Sequence, residues 1–499
     1  MNIYKEYIMI QRRKFLTLSS ITALHVLTGC GGGSNSNHRG SGNGNGGMGG
    51  GQGGNTSTNN PASSTTSLPI PPLLIPRDAG GVKHYDLTIQ ASQHTFFDGV
   101  ATNTYGINGS YLGPTLLVEN GSRISLNYRN TLGEPVSMHA HGMHAPANMD
   151  GSAHQTIAAS ASWSAQYTVK QKANTSWYHP HTMDNTAPQV YKGLAGLMIV
   201  EDTQSRSLNL PKRYGEDDIP LVLQDRVFNN GQINYAPSRM SIMRGYTGDT
   251  FIVNGAINPT FNAEAKEIRF RLLNGSNSSV YTLAFSDRRS FKQIASDSAF
   301  LEAPVTLTSV RLSPGERAEI VVDFSNNIGQ SVVLKELNNN KSFLTINVNQ
   351  DPSTITSVPS KLTTFEKFNP SSAVRTRNFE LGGHMGALTI NGKSMDKARI
   401  DEVVPLNDIE IWNVSNTMGV NHNFHIHATH FRLLSRNGNT SAVSANERGL
   451  KDVVYIPPHE SVSFIVKMID YTDTTVPYMY HCHFLEHEDN GMMGQFTVV

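Results

Sequence analysis

Apolar and polar residues alternate with a period of two through most of this chain. From Lys83 onward Tyr85, Leu87 and Ile89 alternate with polar neighbours, and Ile124, Leu126 and Tyr128 repeat the pattern. That spacing predicts half-buried strands. No long stretch sustains helical periodicity. Turn signals recur at Asn108-Gly109, Asn120-Gly121, Asn254-Gly255 and Asn391-Gly392. Three of these turns head a faint internal repeat. The first leads to a strand ending at Asn130-Thr131, the second to Ile268-Phe270-Leu272 and Asn274, and the third to Ile409-Ile411 and Asn416-Thr417. Histidine motifs follow in the first and third copies, at His139 and His422, but not in the second. The pattern predicts an all-β protein of three β-sandwich domains, covering 68–203, 204–360 and 361–499, with ligands only in the outer two.

The N-terminus departs from this pattern. Arg12-Arg13-Lys14-Phe15-Leu16 opens an apolar run to Leu27 that is too short for a permanent membrane span. Twin arginines before Phe-Leu resemble a Tat export signal, and Leu27-Thr28-Gly29-Cys30 resembles a lipobox with Cys30 as the lipidated residue. Residues 1–30 are therefore expected to export the protein to the periplasm or cell envelope and to tether it there by a lipid. Residues 31–67, mostly Gly, Ser, Asn and Thr, read as a flexible tether of roughly 30–35 Å root-mean-square span. The 499 residues carry a formal net charge of +0, which implies neither a nucleic-acid footprint nor a polybasic membrane patch. A monomer is expected. With Cys30 and Cys482 the only cysteines, and both otherwise employed, no disulfide framework is expected.

Candidate chemistry centres on His481-Cys482-His483 and the following residues through His487 and Met492. One thiolate, two imidazoles and a weak thioether suit a type 1 blue-copper site. A strand over Val476 to His483 would point Cys482 to one face and His481 and His483 to the other. Partner clusters stand at His139-Ala140-His141, His179-Pro180-His181 and His422-Asn423-Phe424-His425-Ile426-His427. In the last, parity lets His422 join Cys482 while His425 and His427 join the histidine cluster. Zinc fits poorly, since only one cysteine lies near the histidines.

These four motifs, in this order, resemble the three-domain multicopper oxidases, in particular bacterial copper efflux oxidases and laccases. The resemblance runs from about Leu68 to Val499 and implies cupredoxin-like Greek-key sandwiches holding four copper ions. It makes His422, Cys482 and His487 the type 1 ligands with Met492 axial, and His139 and His427 the type 2 ligands. The type 3 pair would fall to His141, His179, His181, His425, His481 and His483. The implied reaction couples four one-electron oxidations to reduction of O2 to two waters, at a cluster between the first and third domains. Asp150 matches the family's proton-donating acid, although Asp150-Gly151 also reads as a hairpin turn. Glu488, beside His487, is the second candidate acid, with a solvated loop carboxylate as its plain alternative. Trp412 and Asp452 resemble family positions around the ligands, Trp412 reading better as core packing. His84, His94, His144, His154, His430 and His459 stand singly and read as ordinary surface or core residues, and His384-Met385 is a weak accessory copper candidate.

Copper efflux oxidases carry a methionine-rich insert over the type 1 site, whereas residues 351–380 contain no methionine. An uncovered type 1 edge is therefore expected, open to phenols or other organic reductants as well as metal ions. Near His422 the family's acid is absent; Met418 and Val420 stand there, and Met418 could assist a cuprous ion. A copper nitrite reductase and a copper carrier are the rival classes.

Overall fold

The computed structural model of the protein describes residues 60–61, 66–384 and 387–499. The expected export signal with Cys30, most of the tether, Met385 and the His384 side chain lie outside the described residues.

Six large sheets form three pairs, each pair drawn from its own stretch of chain. In the first stretch, Met138–His141 and Asn174–Pro180 lie at one side of a five-stranded sheet, which faces a second sheet built on Val82–Phe97 and Arg123–Asn130. Their shared core holds Tyr85, Leu87, Ile89, Ile124, Leu126 and Tyr128, the alternating positions read from the sequence. The middle stretch pairs a seven-stranded with a five-stranded sheet, and Ile268, Phe270 and Leu272 enter its core. In the last stretch His422–Ile426 runs antiparallel between Val453–Ile456 and Asp473–His481. Among the described residues the longest helices have six residues. The architecture is cupredoxin-like and all-β, as expected.

One strand shows a face the sequence reading did not assign, and two local expectations are corrected. In Ile409–Asn416 the inward residues are Glu410, Trp412, Val414 and Asn416, while Ile409 and Ile411 are half-buried. Glu410 can turn inward because it accepts from Arg377 and from Trp412 Nε1. The C-terminal strand covers Asp473–His481 and stops before Cys482. Beyond it the amide of His483 donates to Asn423 Oδ1 at 2.6 Å, and the chain turns into the helix Leu485–Asp489. The tether is also docked before it ends: Asn60 donates to the Phe228 carbonyl, and Thr66 and Ser67 pair with Thr260.

Candidate metal centre

Two buried donor sets meet at Cys482. In the first, His422 Nδ1 lies 3.4 Å and His487 Nδ1 3.5 Å from Cys482 Sγ, and the two nitrogens are 3.0 Å apart. The strand His422–Ile426 supplies His422, and the first turn of Leu485–Asp489 brings His487 back over the sulfur. Met492 is fully buried in the same apolar cluster as Cys482, whereas Met493 packs elsewhere, with Met479 and Met395. Burial pushes the Cys482 thiol up to about 12 and His487 down to about 4. The set is thus a neutral imidazole pair around a thiol that lacks a cation to stabilise its thiolate, which a bound metal provides.

The second set gathers eight histidines from two distant parts of the chain, all buried. His139 stacks on His427 at 3.9 Å between ring centroids, and His141 on His425 at 3.8 Å. His181 and His427 each bring Nε2 to 3.2 Å from His481 Nε2. His141, His179 and His483 form another group able to hold one ion. Nε2 of His139, Nε2 of His425 and both ring nitrogens of His483 have no hydrogen-bond partner. Buried polar nitrogens are costly to leave unpaired. Burial lowers His139, His141, His179, His425 and His427 well below the usual imidazole range, His181 to about 4 and His483 to about 3. Neutral, unpaired and convergent imidazoles are the donors that copper takes.

Carboxylates hold these rings in place. Asp150 does not form a hairpin; it follows the short helical turn Ala147–Met149 and is buried. His427 Nδ1 donates to its carboxylate at 2.7 Å, and His139 Nδ1 to its carbonyl at 2.9 Å. Gly151, at φ 77°, lets the chain press against the Met138 carbonyl, where any Cβ would overlap it. Burial pushes Asp150 well above the usual carboxyl range. Asp452 grips the other stacked pair: His141 Nε2 donates to its carboxylate at 3.0 Å and His425 Nδ1 to its carbonyl at 2.8 Å. Burial would raise Asp452 too, but Arg317, forked onto both oxygens, holds it below the usual range. Glu488 is likewise no solvated loop residue; it is buried, 3.2 Å from His481 Nδ1 and 3.5 Å from His181 Nδ1.

Several contributors carry no signal in the sequence. Arg317 comes from the middle sheet pair, and the helix Arg239–Arg244 of the same stretch brings the Met243 carbonyl to 3.3 Å from His487 Nε2. Asn423 accepts from the His483 amide and donates to the Pro314 carbonyl. The expected uncovered edge at His487 is corrected by this arrangement. His487 is fully buried, and the helix Arg239–Arg244, with Ile242 and Met243 packed against the Cys482 cluster, takes the place of an insert within 351–380. At six residues it is too short to show helical periodicity. On the other side, Met418 Sδ lies 3.3 Å from His422 Nε2. Trp412 sits in the third core, packed against Phe379, Phe464 and Tyr480 in the same apolar cluster that holds Cys482. His144 and His430 are not isolated: their rings lie 4.3 Å apart, and His144 Nδ1 donates to Asp470 at 2.7 Å. His94 Nε2 donates to the Gly255 carbonyl and its Nδ1 accepts from Ser110 Oγ, and His154 bonds Gln495.

Paired cupredoxin-like sheets around a thiol–imidazole set and an eight-histidine cluster define a copper oxidoreductase. Sequence profiles described as multicopper oxidase match residues 88–205, 173–349 and 359–499. The multicopper oxidase mco of Staphylococcus haemolyticus is 37% identical over 426 residues, spanning 85% of this chain and 90% of its own length. The cell division protein FtsP of Sodalis glossinidius is 36% identical over 456 residues, spanning 88% of this chain and 93% of its own. The crystal structure of a laccase from Pediococcus acidilactici matches at a TM-score of 0.83 and 34% identity, covering 89% of this chain and 95% of that one. The chain belongs to the multicopper oxidase family, and it is an oxidoreductase that uses O2 and a reductant.

Proposed function

We propose that the chain is a four-copper oxidase that takes single electrons from a small reductant and delivers four of them to O2, forming two waters. In this reading His422, Cys482 and His487, with Met492, hold the type 1 copper. His139 and His427 hold the type 2 copper, and His141, His179, His181, His425, His481 and His483 hold the type 3 pair. Three cupredoxin domains, 68–203, 204–360 and 361–499, carry them, the middle one without ligands. Bound copper supplies the one-electron redox chemistry. The chain keeps the imidazoles neutral and aimed inward, excludes water by burial, and joins the two donor sets through one short covalent link. Asp150 holds a proton at its carboxyl beside His427, while Glu488, held down to about 2 against its burial by the imidazoles of His181 and His481, stays ionised and is the second acid beside the cluster. Twin arginines and Cys30 support export as a monomeric, lipid-anchored periplasmic protein.

The observation that carries this reading is the junction at Cys482. Its sulfur belongs to one donor set while its chain neighbours, His481 and His483, belong to the other. A copper carrier needs no such junction. The reductant is a phenol, another small organic molecule, or a metal ion. A dedicated cuprous oxidase is the second reading, favoured by the soft Met418 sulfur against His422. Copper-loaded protein should be intensely blue and should consume O2 steadily with a simple phenol. Cys482→Ser should lose both properties. A serine variant that stays blue and active refutes the assignment, and a wild type that takes up no O2 with any phenol or Cu(I) refutes the oxidase reading.

A further inference from the structure

Beside the Cys482 donor set lies a cleft of about 710 Å³, bounded by Arg244, Val280, Arg311, Lys341, Asn421 and Tyr455. It adjoins the type 1 site on two sides. Val280 packs with Ile242 and Met243 against the apolar cluster that holds Cys482 and Met492. Asn421 directly precedes His422, and its side-chain oxygen accepts from Tyr455 Oη at 2.7 Å. Tyr455 lies on the strand Val453–Ile456, paired to the strand that carries His422. The His487 edge is roofed by Met243, so this cleft offers a separate approach, through the His422 side.

The charge of the cleft is distinctive. Arg244, Arg311 and Lys341 face one carboxylate, Asp249, in a chain whose formal net charge is +0. Among the described residues none of the three cations has an ion-pair partner. The Arg311 guanidinium lies 4.6 Å from the centre of the Tyr455 ring, which fixes a cation over an aromatic wall. Asp249 is itself engaged by the Thr250 hydroxyl at 3.0 Å. The volume is that of a small-molecule site, and its lining is mostly polar, with Val280 and Tyr455 as the apolar patch.

We propose that this cleft binds the reductant and selects anionic aromatic molecules, phenols bearing a carboxylate or sulfonate. The ring would lie toward Val280 and Tyr455, and the anion would meet Arg311 and Lys341. This inference rests on the oxidase reading above. Each phenol loses one electron to the type 1 site and its hydroxyl proton to solvent, leaving a phenoxyl radical. Four such events match the four electrons taken by O2, the terminal oxidant.

The test uses full-length, copper-loaded enzyme and two phenols that differ only by a carboxylate, with O2 uptake as readout. Wild type should favour the anionic phenol in kcat/KM at low ionic strength. That preference should shrink as salt rises, because the Debye length falls to about 10 Å at 0.1 M. In Arg311→Gln/Lys341→Gln the ratio of kcat/KM for anionic over neutral phenol should fall roughly tenfold, carried by KM, as expected for losing two exposed charges together. Lys341→Glu, at an exposed position, should shift preference toward a phenol bearing an ammonium group. Uptake with both phenols but no charge discrimination, or an equal change for both in the variants, overturns the inference alone. No uptake with either phenol overturns it together with the phenol-oxidase reading.

Discussion

Replacing Arg317 with methionine should damage both folding and copper retention. Arg317 and Asp452 are 1% and 0% exposed, and the guanidinium makes five hydrogen bonds. Two reach the Asp452 carboxylate, and the others reach the carbonyls of Thr175 at 2.9 Å, Gly315 at 3.2 Å and Asp297 at 2.8 Å. These partners come from all three sheet pairs. Methionine fills most of the volume but leaves a buried carboxylate without its cation. Breaking a buried pair from one side costs about 3–5 kcal/mol. That is a large share of the ~5–15 kcal/mol stability of a typical domain. Asp452 would then take up a proton and cease to be the acceptor that orients His141. Arg317→Lys keeps the charge but not the planar fork, so a smaller loss of about 1–2 kcal/mol is expected. Guanidinium unfolding of chelated protein, with metal analysis of the reloaded variants, measures both effects. An Arg317→Met protein within ~0.5 kcal/mol of wild type, holding the same copper, would refute this account of the network.

Three further outcomes are expected. Asp150→Asn should slow O2 reduction by about 10²–10⁴, the usual weight of a general acid, while reduction of the Cys482 site by substrate stays near normal; equal slowing of both half-reactions would leave Asp150 only a structural role. Met492→Leu should raise the type 1 potential and keep the blue colour, and a redox titration showing a fall would move the axial role to Met493. For the metal-free protein, His487 and His181 drop from 6.5 to about 4 on folding, so the unfolded chain binds protons first as pH falls. Stability is therefore fully present above pH ~6.5 and lost down to ~4, by roughly 3 kcal/mol for each such group, and urea titrations at pH 7 and 4.5 that coincide would refute it.

The strand pattern and the histidine motifs were legible because both are local. Two-residue alternation marks Tyr85 to Ile89 as surely as burial does, and parity around Cys482 sends both neighbours to the donor set opposite its sulfur even though the strand stops at His481. The surroundings were not legible, since they are made by contacts across hundreds of residues. Nothing in Pro314-Gly315-Glu316-Arg317 announces that Arg317 will neutralise Asp452, and nothing in Met243 announces a roof for His487. Asp150-Gly151 carries the letters of a hairpin, but the positive φ serves a close approach to Met138 instead. In Ile409–Asn416 Glu410, Trp412, Val414 and Asn416 are the inner positions, and a buried Arg377–Glu410 pair is what lets a carboxylate turn inward there.

The contacts among the histidines follow a two-fold rotation. If His139 and His141 are matched with His425 and His427, the first ring of each motif stacks on the second ring of the other. His179 and His181 matched with His481 and His483 obey the same exchange, since His181 meets His481 and His179 faces His483. His144 and His430 touch each other, as residues on the axis would. This is the isologous pattern of a symmetric dimer, joined here in one chain. The two aspartates obey it as well, each taking a ring of one motif on its carboxylate and a ring of the other on its carbonyl. The symmetry fails at two points. Pro180 occupies the position matched to Cys482, so in the proposed reading only one half offers a sulfur route into the cluster. Among the described residues Arg317 sits on Asp452 and no cation sits on Asp150, so of the two matched aspartates only Asp150 is pushed toward holding a proton. In the four-copper reading proposed above, a nearly symmetric nest of histidines would thereby acquire a direction, with electrons arriving beside Cys482 and a proton held at Asp150.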